Sequence, residues 1–305
     1  MKWFMAANSE SLRDPGFMRL VRVASASARA HTELESFLML DGPESAECDE
    51  IRALGVTILP AELSIAPELT AWMENHQYTE IGIRCRRGSY LRMELPRVLE
   101  QHGIDDEFVM YTDADVFFNA CPEVDSLKPP VLAAYGAREG GFTRFHFLGH
   151  YHFQAGVLVM RTAAVRETYD LFRKFVLSNG NGIKRPPGQF FSKHLFLSDQ
   201  VAINLFYGRQ ITRMHRELNW NPASRPCSSP QITHFNGLKW TEWHDFAEGK
   251  LSSKRQKKFA RQIGQNIEAY RRICEEVLQF ESQLPQAPSH DGALAKGQTL
   301  PSDII

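Results

Sequence analysis

Three short apolar runs, each halted by a polar or turn residue and separated by helical patterns, constrain this chain from its first residues. Trp3 to Ala7 is the first run and ends at Asn8. Phe17, Leu20, Val21, Ala24 and Ala28 then recur at helical spacing. Phe37 to Leu40 is stopped by the turn pair Asp41-Gly42, and Val56 to Leu59 is stopped by Pro60. Between them, residues 44 to 54 read as a helix with Gly55 as its C-cap. Strands alternating with helices predict an α/β fold with a mixed, mostly parallel sheet covered on both faces.

The alternation continues. Residues 89 to 101 carry Leu91, Leu95, Val98 and Leu99 on one helical face, with Pro96 placed to kink or restart the helix. Phe108 to Tyr111 is a strand that delivers Asp113 at its end. Val131 to Tyr135 and Gly156 to Met160 read as strands, and Ala163 to Leu177 as a helix. Residues 178 to 188 form a breaker-rich loop, either a binding loop or a surface excursion. From Lys250 the spacing of Phe259, Ile263, Ile267, Tyr270, Ile273, Cys274 and Val277 predicts one amphipathic helix over residues 250 to 284. Its first turns are basic, through Lys250, Lys254, Arg255, Lys257, Lys258 and Arg261. That basic face is either a solvated surface or a peripheral contact with an anionic membrane. Residues 285 to 305 are polar and read as a disordered tail, so the organisation is a domain over 1 to 249, a helix and a tail.

Composition removes several classes of function. With 35 basic and 36 acidic residues in 305, no overall field draws the chain to nucleic acid. Five scattered cysteines, none in a C-x-x-C pair, read as reduced thiols rather than a disulfide framework. No uninterrupted apolar run reaches about eighteen residues, and the start lacks a signal-peptide pattern. A cytoplasmic protein is expected.

Asp113 and Asp115 carry the chemistry. Residues two apart at a strand end point to one side, so their carboxylates converge and repel unless a proton or cation lies between them. A hard divalent cation, Mn²⁺ or Mg²⁺, holding a diphosphate suits such oxygen ligands. The other reading is a solvated acidic turn.

Further segments decide between these. Tyr90-Leu-Arg-Met-Glu-Leu-Pro96, Tyr111-Thr-Asp-Ala-Asp-Val116, Phe153-Gln-Ala-Gly-Val-Leu-Val159, Ser198-Asp-Gln200, Leu218-Asn-Trp-Asn-Pro222 and His234-Phe-Asn-Gly-Leu-Lys-Trp240 lie in order along the chain. Together they resemble glycosyltransferase family 8, the retaining sugar transferases of GT-A fold, over roughly residues 1 to 245. The resemblance implies a metal site of Asp113, Asp115 and His234. It implies a UDP-sugar donor along Ala6, Asn8, Arg92, Asp113, Ala114, Asp115, Gln154, Ala155, Gly156, Gly237 and Lys239, with Asp199 and Gln200 beside the transferred hexose. A saccharide or glycolipid would be the acceptor.

Physical readings stand beside these roles. Asn8 either faces the nucleotide or caps the following helix. Arg92 either serves the Asp cluster and donor or forms a structural salt bridge. Asp199 either accepts from a sugar hydroxyl or caps its helix. Lys239 offers a point charge to phosphate. Two departures from the family pattern are plain: Gln154 stands where an Asn is usual, and the closing segment is one residue shorter before Lys239 and lacks its Pro. The shortening leaves a catalytically silent nucleotide-sugar-binding protein as the alternative.

Overall fold

The computed structural model describes residues 1–136, 153–180, 195–224 and 226–285, without the side chains of Leu197 and Gln265. Two compact units result: Met1–Trp220 with Cys227–His234, and Asn221–Pro226 with Phe235–Ile305.

Among the described residues, the first unit is built on nine strands: β1 Lys2–Asn8, β2 Glu35–Asp41, β3 Thr57–Pro60, β4 Phe108–Thr112, β5 Val116–Phe118, β6 Leu132–Gly136, β7 Phe153–Arg161, β8 Ile211–Met214 and β9 Ile232–His234. Seven form one sheet in the order β3-β2-β1-β4-β7-β6-β8. β3, β2, β1 and β4 run parallel, β7 is antiparallel to both of its neighbours, and β6 pairs parallel with β8. The expected mixed, mostly parallel sheet is therefore present.

Alternation along β1 shows why this strand is apolar throughout. Phe4 packs with Phe37 and Met39 on one face of the sheet. Trp3, Met5 and Ala7 pack with Leu38 and Leu40 on the other. A parallel strand covered on both faces has no polar side to show. Helix Pro15–His31 covers the second face. Asp14 accepts the Phe17 N–H at 2.9 Å as N-cap, Pro15 begins the helix, and Val21, Ala24 and Ala28 are buried.

After β1 the chain builds β2 and β3 on one side, then returns to place β4 on the other. That reversal makes a switch point, where the carboxyl ends of β1 and β4 open a crevice. Asn8 and Asp113 stand at its rim. Residues 80–101 restart twice: helix Glu80–Tyr90, a 3-10 turn Leu91–Glu94, and helix Leu95–Gln101 with Pro96 in its first turn. The tight turn carries Arg92.

β5 and β9 form a separate two-stranded antiparallel ribbon that pairs Val116 with His234 and Phe118 with Ile232. The strand that ends at His234 thus pairs with the short strand after the Asp pair, outside the main sheet. Trp220 brackets β9, donating from its N–H to Ile232 at 3.0 Å and accepting from His234 N–H at 2.8 Å.

β7 begins irregularly. Its register against β6 shifts between Ala134 and Gly136, and helix Asp199–Tyr207 secures the strand start instead. Asn204, 1% exposed, accepts the Phe153 N–H at 2.8 Å and donates to the Phe153 carbonyl at 2.7 Å. This side chain stands in for a missing strand partner.

In the second unit the C-terminal stretch differs from expectation. Two helices replace one: Ser253–Ile263 and Ile267–Ser282. Gly264, at φ +51°, breaks the run where a side chain would resist the left-handed turn. Ile267, counted on the apolar face by its spacing, is 45% exposed. Phe259 and Ile263 are buried on the first helix, and Tyr270, Ile273, Cys274 and Val277 on the second. Tyr270 donates to the Leu238 carbonyl, and Arg255 pairs with Glu242. Most of the breaker-rich loop, and the tail beyond Pro285, lie outside the described residues. No helix among the described residues is long and apolar enough to cross a membrane.

Replacing Asn204 with Ala should leave the Phe153 N–H and carbonyl without partners and destabilise the protein by about 2–4 kcal/mol. Urea denaturation measures this, and a loss below about 0.5 kcal/mol would refute the pinning role of the amide.

Candidate metal centre

Asp113 follows β4 and Asp115 precedes β5, so the turn between strands of two sheets carries both carboxylates. The β5–β9 pairing then brings in His234 opposite Val116. Nε2 of His234 lies 3.3 Å from Asp115 Oδ1 and 3.8 Å from Asp113 Oδ2. One ligand atom from each of the three residues falls within 4.8 Å of the others. Adjacent ligands of an octahedral ion with bonds of about 2.1 Å stand about 3.0 Å apart, so the triad can close on one cation with little movement. Three protein ligands also leave open positions for other oxygens.

Arg92 organises the charge around the triad. It is 6% exposed, with its guanidinium 5.0 Å from the centroid of the Tyr111 ring. One terminal nitrogen donates to Asp113 Oδ1 at 2.8 Å, and the other donates to the Ala155 carbonyl. Its Nε lies 2.7 Å from Asp199 Oδ2, but that N–H points to the Ser89 carbonyl at 3.0 Å. Asp199 Oδ2 therefore has a charge contact and, among the described residues, no hydrogen bond. Burial works against the charged guanidinium, yet Asp113 and Asp199 outweigh it and hold its pKa above the usual arginine value. Burial also pushes the Asp113 carboxyl upward, with Asp115 adding to the rise and Arg92 opposing it.

Two carboxylates and an imidazole with ligand atoms this close are oxygen and nitrogen donors, a set that fits Mn²⁺ or Mg²⁺.

Gly156 packs against the metal-site histidine. A Cβ on it would stand 1.9 Å from Cε1 of His234, so the imidazole fills the space where a side chain would be. Its carbonyl accepts the Asp113 N–H at 2.9 Å. Closeness of this backbone to His234 calls for glycine. Ala155 beside it accepts from Arg92, and its N–H donates to Gln200 Oε1 at 3.1 Å. Asp199 and Gln200 thus sit against β7 next to the triad. Ala114 is buried between the two carboxylates, and Gln154 keeps a buried Oε1 with no partner among the described residues.

Asn8 takes the capping alternative. Its Oδ1 accepts the Ser11 N–H at 2.8 Å, and its Nδ2 donates to the Arg84 carbonyl at 3.0 Å. Ala6 lies half-buried in β1. Gly237 and Lys239 belong to the second unit. There Gly237 adopts φ +115°, and Lys239 Nζ donates to the Phe235 carbonyl at 2.7 Å.

Sequence reasoning passed over Asn219, whose Oδ1 meets His234 Nδ1 at 2.9 Å. The signal was present, since Asn219 lies inside Leu218-Asn-Trp-Asn-Pro222, a matched segment that received no chemical role.

No family model matches the chain, and no curated protein matches it. Solved structures do. The galactosyltransferase LgtC in complex with donor and acceptor sugar analogs aligns with a TM-score of 0.60 at 16% identity, covering 95% of this chain and 98% of that one. An active-site mutant of LgtC aligns at 0.55 and 17% identity, over 87% and 95% of the two chains. The apo WbbM bifunctional glycosyltransferase aligns at 0.51 and 13% identity, over 89% of this chain and 51% of that chain. The likeness establishes a GT-A fold.

Gly156→Ala should destabilise the protein by about 1–3 kcal/mol in the wild-type background. Most of that cost should vanish when His234→Ala removes the ring, which a double-mutant cycle by chemical denaturation would measure. Additive effects would refute the contact.

Proposed function

We propose that this chain is a metal-dependent retaining glycosyltransferase that moves a hexose, glucose or galactose, from a UDP-sugar to a saccharide or glycan acceptor. The observation that carries the reading is the Asp113–Asp115–His234 triad, whose ligand atoms converge at the switch point of a GT-A sheet. A divalent cation held there would bind both phosphates of the donor and act as a Lewis acid on the leaving diphosphate.

The residues of the chain divide the remaining work. Asp113, Asp115 and His234 fix the diphosphate end of the donor by holding the ion. Arg92 opposes the upward push of burial on the Asp113 carboxyl and engages its Oδ1, so that Oδ2 remains available. The β7 backbone at Ala155 and Gly156 provides a wall without bulky side chains for the sugar. Asp199, with an oxygen that lacks a hydrogen bond among the described residues, is the acceptor for a sugar hydroxyl. Gln200, steadied by the Ala155 N–H, stands on the anomeric side.

Retention is taken from the resemblance to glycosyltransferase family 8, and the engaged carboxylates favour a front-face route to it over a covalent intermediate. A covalent intermediate needs a free carboxylate beneath the anomeric carbon. Asp113 and Asp115 are directed to the cation, and Asp199 is held by Arg92. The acceptor hydroxyl therefore attacks from the face that the diphosphate leaves, and the leaving phosphate takes its proton. In the second unit, Lys254, Lys257 and Arg261 are exposed on helix Ser253–Ile263 and suit a peripheral contact with an anionic inner membrane face.

Incubation with UDP-glucose and UDP-galactose in Mn²⁺ should release UDP, and EDTA should stop it. Asp113→Asn and Asp115→Asn should each abolish Mn²⁺-dependent UDP binding by calorimetry. Unchanged affinity in both variants would overturn the metal assignment. Tight UDP binding with Mn²⁺ but no turnover of either donor would identify a binding protein instead.

A further inference from the structure

We propose that Asn219 is a positioning residue for the cation site: it holds His234 as the Nδ1–H tautomer, so that Nε2 presents a bare lone pair to the ion. The inference rests on the cation site proposed above. Asn219 is fully buried, and its side-chain oxygen lies 2.9 Å from His234 Nδ1. A carbonyl oxygen can only accept, so Nδ1 must carry the proton and Nε2 must lack one in the neutral ring.

The backbone makes this contact a fixed part of the fold. Trp220 follows Asn219 directly and is hydrogen-bonded to β9 on both sides of Thr233. Asn219 is thereby held in register with His234. Across the ring stands Gly156, so close that a methyl group there would overlap the imidazole. With both sides occupied, the ring keeps the orientation that aims Nε2 between Asp115 and Asp113.

The tautomer decides whether the site is open. With the proton on Nδ1, the triad offers a nitrogen lone pair beside two carboxylates, and no hydrogen bond from Nε2 to a carboxylate competes with a cation. With Asn219 turned over, its amide would donate to Nδ1 and the proton would sit on Nε2. Asp115 would then accept it, and the triad would close without metal. The Asn219 nitrogen has no partner among the described residues, so a residue that only accepts gives up no hydrogen bond there. Such outer partners of metal-binding histidines change affinity by roughly 10–100-fold when removed.

The test uses the full chain, with Mn²⁺ alone titrated and free ion read by electron paramagnetic resonance. Asn219→Ala should weaken Mn²⁺ binding by roughly 10–100-fold, and Asn219→Asp should restore it to within about threefold of wild type. Nitrogen-15 shifts of His234 in metal-free wild-type protein at pH 8 should place the proton on Nδ1. Thermal melts separate the affinity loss from unfolding, because Asn219→Asp keeps the acceptor. A proton on Nε2, or Asn219→Ala binding Mn²⁺ as tightly as wild type, would overturn the inference while leaving the cation site intact. Wild-type protein that binds no Mn²⁺ would overturn the cation site and the inference with it.

Discussion

The first unit turns on one buried guanidinium. Arg92 joins the end of β4 through Asp113, the irregular start of β7 through Ala155, and the first residue of helix Asp199–Tyr207 through Asp199. Its own turn is engaged through Ser89. These segments come from four distant stretches of chain, and no backbone ladder joins all of them. Removing one partner of a buried ion pair typically costs 3–5 kcal/mol, since the remaining charge stays uncompensated. Here the loss would leave two carboxylates, so the same side chain that assembles the fold also sets the electrostatics of the crevice. Lysine cannot replace it, having one nitrogen where three separate directions are served.

A second polar cluster supports the turn that carries Arg92. Glu94 is fully buried, accepts from Ser64 N–H and hydroxyl at 2.9 and 2.7 Å, and accepts from Tyr169 at 2.6 Å. Arg173 adds hydrogen bonds to the Ser64 hydroxyl and carbonyl, both at 3.2 Å. The 3-10 turn Leu91–Glu94 is thus held from two sides, by Arg92 toward the triad and by Glu94 toward helix Thr162–Asn179. Rigid support of this kind keeps liganding atoms close to working geometry before any ligand arrives.

The regular core was legible in the sequence because β1 to β4 are apolar runs with clear stops. Asp113 and Asp115 were legible because chemistry restricts what two neighbouring carboxylates can do. The ribbon of β5 and β9 was not. Three residues per strand are too few for a period of two to register, and their pairing joins residues more than a hundred positions apart. The C-terminal helices misled for the opposite reason. Ile263 and Ile267 are four apart and look like one face, but Gly264 reverses the backbone between them and leaves Ile267 in solvent. Asn8 and Gly156 show a third limit: their neighbours in space, Ser11 and Arg84 for one and His234 for the other, leave no pattern in the sequence.

The missing side chain at Gly156 also governs the routes by which this site can change. While the imidazole occupies that space, almost any substitution at 156 is barred, whatever benefit it would bring to sugar selection. Once His234 is lost, the constraint lifts and position 156 becomes free to accept larger residues. Such a replacement would then block the way back, since a histidine restored at 234 would find its place filled. The order of mutations therefore matters: loss of the nitrogen ligand is reversible only until its neighbour drifts, and a ratchet toward a metal-free descendant is built into a single hydrogen atom.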